Sequence, residues 1–431
     1  MFTDHPANWF ALAFLMPLMF AGLLLLSRSR FVIRVLFTVS LVKLLLVIAN
    51  CYGRQFFLYD ADFFTLDELA KGWASMPLGD ALGEIHRATG RYFFAFLLGL
   101  LYRGVGEAHM FVFITNIYLT ALVASCTFDA VKCVTGNERI ARIALLCVAL
   151  LPMYYMYCLT PSREPMVEAG FAVALRQFCY WAKDAQPRRI AWIVAGLLAA
   201  ASVHSAMALA LLFIMGSIAL TTFRNRKSRE TSTKSRRMVS LVMLAVIAAA
   251  TLPPLIFSGW ALSKFGGSVS GLADVDTLER YAERNESRTG YLSPGAVGEF
   301  GSTAGAIKNI PIRFIYFISK PWPWDLGTPS DLVAVYVNFF LIATVYLAVF
   351  RRRVLGAYPP ATPIALCILL LSVVFAFGTA NWGTGTRHKT KFFPGMVLVV
   401  AVHMTHRRLM RMDRKDLLTS RAMISRPPVS R

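Results

Sequence analysis

Long apolar runs alternate with short polar connections along almost the whole chain, and that pattern predicts helices long enough to cross a membrane. Runs of about 17 to 25 residues suffice, at about 1.5 Å rise per residue, to cover a hydrocarbon core of roughly 30 Å. The runs are Trp9 to Leu26, a second ending near Asn50, Met110 to Phe128, Ile143 to Tyr157, Met166 to Trp181, Ile190 to Val203, Ser205 to Phe223, Met238 to Phe257, Leu332 to Phe350, Ile364 to Gly378, and Phe392 to His403. About eleven helices follow, an all-α polytopic fold with residues 1–431 as one transmembrane domain. Tyr92 to Leu101 is too short to span and is expected to lie in the interface. His204 and Ser205 barely separate two runs, so a tight hairpin and a bent helix pair fit equally well.

Composition sharpens the picture. Hydrophobic residues make up 56% of the 431, charged ones 16%, and mean hydropathy is +0.55, which leaves no room for a soluble catalytic domain of ordinary size. The formal charge of +21 fits basic loops facing anionic lipid better than a nucleic-acid partner. The seven cysteines show neither CxxC spacing nor an extracellular pairing pattern, so they read as small packing residues and no metal site is implied.

Charge asymmetry then orients the chain. Arg28, Arg30 and Arg34 crowd the connection after the first run, so the positive-inside bias places that connection in the cytoplasm and the N-terminus outside. Alternation puts the basic loop 224–237 and the tail 406–431 inside. The segments 51–91 and 258–331, the turn Thr160 to Pro165 and the stretch Thr379 to Lys391 fall outside.

Those external segments hold the candidate chemistry. Asp60 and Asp62 stand one residue apart among aromatics just after the second run, with Asp67 and Glu68 following. A general base with a helper carboxylate, an oxygen-ligand site for a divalent cation, and the N-cap of an interfacial helix are three readings of that pair. Basic residues outside run against the charge bias, and Arg163, Arg280, Arg284, Arg288, Lys320 and Arg387 with His388 would suit a phosphate, because guanidinium forks match its oxygens. Arg280, Arg284 and Arg288 would share one helical face, where ion pairing to Asp276 and Glu283 is the competing explanation. Glu164 beside Arg163 exceeds what helix capping by Ser162 requires. Lys320-Pro-Trp-Pro-Trp-Asp325 carries head-group anchors, and the Gly/Thr-rich stretch from Asn381 to Lys389 suggests a turn presenting backbone N–H groups to an anion. Lys43, Arg176, His204 and Glu168 lie in or between the runs, where ionisable groups face the bundle interior; His204 is a further candidate for the site.

Together, the acidic motif of the first external loop, the Pro-Ser-Arg-Glu turn, the Lys-Pro-Trp-Pro-Trp element and the late Asn-x-Gly-Thr-x-x-Arg-His stretch resemble bacterial polysaccharide-assembly membrane proteins. The nearest groups are the GT-C glycosyltransferases and the EpsG-like or Wzy-like polymerases. The resemblance implies a bacterial inner-membrane enzyme that moves a sugar or oligosaccharide from a polyprenyl-phosphate or pyrophosphate donor to a glycan or lipid acceptor. It implies Asp60 or Asp62 as the base, and Arg163 or Arg387 on the lipid phosphate. The chain departs from GT-C enzymes in a helix before the acidic loop and in a short second external segment. A flippase or transporter of lipid-linked sugars would need the same anion site, although the chain shows no internal repeat.

Overall fold

The computed structural model describes residues 6–53, 61–83, 85, 91–224, 303–327, 329–377, 379 and 382–424. Among these every regular element is a helix. The expected span Met238 to Phe257, most of the loop 224–237 and the candidates Asp60, Arg280, Arg284, Arg288 and Asn381 lie outside the described residues.

In chain order the helices are α1 (Pro6–Leu26, with one π turn), α2 (Arg30–Tyr52), α3 (Ala61–Ser75), α4 (Leu78–Gly83), α5 (Arg91–Val105) and α6 (His109–Thr135). Next come α7 (Glu138–Ala149), α8 (Pro152–Leu159), α9 (Glu164–Asp184), α10 (Arg188–Val203) and α11 (Ala208–Arg224). Beyond the undescribed stretch follow α12 (Thr303–Ser319), α13 (Pro329–Phe350), α14 (Arg352–Gly356), α15 (Ala361–Phe377), α16 (Trp382–Thr390) and α17 (Phe393–Ile424).

Among the described residues five helices, α1, α2, α6, the segment Ser205–Thr222 and Asp331–Phe350, are long and apolar enough to cross a membrane, and the pair α7–α8, bent by 41°, makes a sixth if it is one span. Phe10, Phe14, Leu18, Leu25, Phe37 and Leu45 are exposed along α1 and α2. An apolar surface of that extent belongs against lipid rather than water, so the fold is that of a helical membrane protein.

Local sequence explains the breaks. Gly136, at φ +64°, caps α6 in the left-handed conformation, and the side chain of Asn137 accepts from Ile140 N (3.2 Å) to start α7. Pro152, without an N–H, ends α7 and opens α8. At the soft boundary His204 is extended and Ser205–Met207 forms a 3₁₀ turn, so the two runs are joined by a sharp corner rather than a loop.

α6 lies at the centre, against α9, α7, α2 and α17, with Phe113, Val123, Phe128 and Val131 buried. One of these neighbours, α9, packs closely against α10. A methyl added to Gly170 would meet Gly196 O at 2.4 Å, and one added to Gly196 would meet Gly170 O at 2.5 Å. Small residues at both positions, with Ala174 and Ala200 one turn on, let these backbones touch. α5, the short apolar run, packs on α3, where Gly99 faces Ala70 O and the Trp73 side chain.

Candidate functional site

The turn before α9 and the helix α16 are more than two hundred residues apart in sequence and meet in one buried cluster. Asn116 of α6 fixes the turn by donating to Tyr157 O (3.1 Å) and Ser162 O (2.9 Å). Ser162 hydrogen-bonds the Glu164 carboxylate, and its Oγ also accepts from Glu164 N at 3.4 Å. Arg387 Nη2 lies 3.3 Å from Glu164 Oε1, and Arg163 Nε lies 4.0 Å from the same oxygen. Arg163 also donates to Val203 O (3.3 Å) at the end of α10, tying the turn to the His204 corner.

Aromatic and cationic groups close the other side. His388 stacks on Phe375 of α15 at 4.4 Å between ring centres, and His204 meets both rings edge-on, 5.4 Å from His388 and 5.5 Å from Phe375. Lys391 Nζ is 2.8 Å from His388 Nδ1 and 5.6 Å from the Phe375 ring centre. Tyr157 Oη and Thr390 Oγ1 share a hydrogen bond of 2.9 Å. Beneath them Glu168, one turn along α9 from Glu164, is wholly buried near the hydroxyls of Tyr154 and Thr390.

Further polar contacts seat α16 against α13. Lys389 donates to Asn338 Oδ1 of α13 (2.5 Å) and to Lys320 O (3.4 Å), while Asn338 Nδ2 donates to Lys320 O (2.7 Å). Burial, with no carboxylate on Lys389, pushes its ammonium down to about 7. Lys320 itself is paired to Asp325 at 2.8 Å, so its backbone carbonyl, not its charge, reaches the cluster.

Thus Arg163, Glu164, His204, Arg387 and His388 come together, and Lys320 sits beside them. Asp62 occupies the first turn of α3, which begins directly after Asp60. On this helix Asp67 is buried and held by several partners. Burial would raise it, but hydrogen bonds from His109 (3.0 Å) and Tyr102 (2.5 Å) and the ion pair to Lys71 (3.1 Å) hold it at about 2. A carboxylate so acidic is an ion-pair anchor rather than a base poised near neutrality.

Three expectations need correction. Trp382–Thr390 is a helix, not an irregular turn; its N–H groups beyond the first turn serve the helix, and Thr386 Oγ1 bonds Trp382 O at 2.9 Å, so side chains rather than a backbone nest carry the positive character. An interior Glu168 is expected to pair with Lys43, Arg176 or His204, but Arg176 pairs with Asp129 (2.9 Å) and Lys43 bonds Thr120 Oγ1 (2.9 Å) under the rings of Tyr154 and Tyr155, so neither of these two makes an ion pair with it. Lys320 is neutralised locally. The contributions of Asn116, Tyr157, Asn338 and Thr390 were not anticipated, although an asparagine amid the apolar run of α6 or α13 is itself a signal of an interior contact. Among the described residues no cluster of three metal-ligating side chains occurs.

No family model, curated protein or solved structure matches this chain.

Proposed function

We propose that the protein is a bacterial inner-membrane transferase or polysaccharide polymerase of GT-C-like design with about eleven spans, its N-terminus outside and its tail cytoplasmic. It moves a sugar or oligosaccharide from a polyprenyl-phosphate or pyrophosphate donor to a glycan or lipid acceptor. The observation that supports this reading is the convergence of Arg163 and Arg387 on the Glu164 carboxylate, with Lys391 acting on the same carboxylate and held against His388. The basic side chains of the cluster outnumber the carboxylate that Arg163 and Arg387 share, a balance that suits an anion. Guanidinium forks held by buried partners are suited to the charge that develops on a departing phosphate.

In the proposed step Asp62 or Asp60 takes the proton of the acceptor hydroxyl as its oxygen bonds to the anomeric carbon. The bond from that carbon to the donor phosphate breaks, and Arg163 and Arg387, with Arg288 as a further candidate, stabilise the phosphate that leaves. Arg280 and Arg284 would extend the cationic face. A transporter of lipid-linked sugars would use the same cluster without making a bond.

Full-length protein in lipid with a polyprenyl-linked donor separates the two. Asp60→Asn and Asp62→Asn should preserve donor binding, because Asn caps a helix nearly as well as Asp, and at least one should lower transfer by roughly 10²-fold. Full turnover in both removes the assigned base, and donor flipping without a new glycosidic bond in the wild type assigns the protein to transport. A chelator arm tests for a divalent cation.

A further inference from the structure

The far end of the bundle carries a second cationic feature that the proposed transfer does not use. A cavity of about 600 Å³ opens between α13, α14 and α17, lined by Tyr346, Arg351, His403, His406, Arg407 and Arg411 together with Val354 and Met410. Counting along α17 from Lys391, the first lining residue lies about 18 Å away and the last about 30 Å, so this cavity and the Arg163–Arg387 cluster are separated by roughly the thickness of a hydrocarbon core.

Its construction is not that of a solvated basic loop. His403, Arg407 and Arg411 recur every fourth residue and so share one face of α17, with His406 and Met410 on the adjoining edge. Arg351 faces them from the end of α13, where it begins α14. Among the described residues no acidic side chain lines the cavity. His403 Nδ1 is buried without a hydrogen-bond partner among the described residues, and the His406 ring is held edge-on to Tyr358 at 6.4 Å. Three guanidiniums facing one space repel each other unless an anion occupies it, and an orphaned buried ring nitrogen costs stability that a polar ligand would recover. Apolar residues continue outward from the rim, where Tyr346, Val349, Phe350 and Met410 are all exposed.

We infer that this cavity binds a phosphate group carrying two or more negative charges, either on a membrane lipid whose chains lie along the apolar rim of α13 and α17 or on a free phosphate compound. The guanidinium forks take the phosphate oxygens in pairs, and the imidazoles supply further hydrogen bonds. Val354 and Met410 add apolar lining, so a ligand with an apolar part fits the cavity as a whole.

The test uses the purified full-length protein in detergent and native mass spectrometry. Dioleoyl phosphatidic acid is the probe and dioleoyl phosphatidylcholine the control, since the latter's phosphate carries one charge beside a fixed cation. Phosphatidic acid should be retained in preference to phosphatidylcholine. The double variant Arg407→Gln/Arg411→Gln should lose roughly tenfold or more in that retention. Val354→Trp, which fills the cavity and removes no charge, should lose a similar amount, whereas general surface attraction predicts no effect. Melting scans verify folding of each variant, and Arg351→Gln carries the test where the double variant is unfolded. Inorganic pyrophosphate that displaces the lipid identifies a free phosphate compound as sufficient; failure to displace assigns the site to a lipid. Equal retention of the two lipids, or wild-type retention in Val354→Trp, overturns the proposal.

Discussion

Arg163 and Arg387 converge on a single carboxylate, and that asymmetry makes Glu164 the most informative side chain to change. Glu164→Gln keeps the shape and the contact to Ser162 but leaves two guanidiniums facing each other in a site where Glu164 is 2% exposed. Breaking a buried pair in this way should cost about 3 kcal/mol, read as a fall in the unfolding midpoint. If the cluster is an anion site, inorganic pyrophosphate should recover stability in Glu164→Gln more than in the wild type. A purely structural cluster would show the loss without the recovery. Arg387→Lys and Arg163→Lys ask the complementary question, because they keep the charge and lose the fork. Transfer from a polyprenyl-linked donor should fall at equal folded protein, and wild-type turnover in both would make these arginines ordinary structural charges.

Two groups at the residue scale titrate with opposite signs. Lys389, held at about 7 against an ordinary 10.5, refuses a proton that the unfolded chain accepts between those values, so its contribution to stability falls as pH drops from 10.5 to 7 and is constant below. Lys389→Met should flatten that slope in melting scans between pH 7 and 10. Asp67, held at about 2 against 3.8, works the other way. The stability it contributes is complete above pH 4 and is lost as pH falls towards 2, and Asp67→Asn should remove that acid-side dependence.

At the scale of elements, hydropathy alone located the spans that are visible, because a continuous apolar run has few alternatives to a lipid-facing helix. It located α9 and α10 as helices, although neither is among those long and apolar enough to mark a span, and α9 carries Glu164, Glu168, Arg176 and Lys183. What hydropathy did not reveal was partnership. The Gly170–Gly196 contact depends on two small residues in different helices meeting at the same height, and nothing local in either segment says so. Likewise Arg163, Glu164 and Arg387 stood out in the sequence as misplaced charges, while their meeting point required the packing of α9, α15 and α16. The helical form of Trp382–Thr390 was hidden because its glycines and threonines favour a turn locally, and tertiary contacts through Lys389 and Thr390 override that preference. The contact between α9 and α10 makes a sharp prediction. Gly170→Ala places a methyl 2.4 Å from a backbone oxygen that is itself fixed in a helix, so the helices must separate at a cost of about 1–3 kcal/mol or more. Gly216→Ala in α11 meets nothing within 4 Å and should be neutral or stabilising by up to about 1 kcal/mol. Comparing the two melting temperatures separates close approach from a general helix-propensity effect.

For the whole molecule, the deciding quantity is which features share a side of the membrane. The proposed reaction needs the α3 acidic segment and the Arg163–Arg387 cluster on one side, and the inferred phosphate cavity on the other. The length of α17 bears on this directly: its 32 residues extend about 48 Å, so Lys391 just before its first turn and Arg411 beyond its middle are spaced to reach opposite interfaces. The basic stretches at Arg28 to Arg34 and Arg351 to Arg353 should share a side with Arg411 by the same charge bias. Single cysteines at exposed positions Glu68, Thr384 and Met412, introduced after the seven native cysteines are replaced, read this out with a membrane-impermeant maleimide on intact cells. Glu68→Cys and Thr384→Cys should label without permeabilisation, and Met412→Cys only after it. Labelling of positions 68 and 384 from opposite sides would part the acidic segment from the arginines. In that case neither Asp60 nor Asp62 could act on a donor held by Arg163 and Arg387, and the transfer mechanism would fall while the anion sites at each end of the bundle remained to be tested separately.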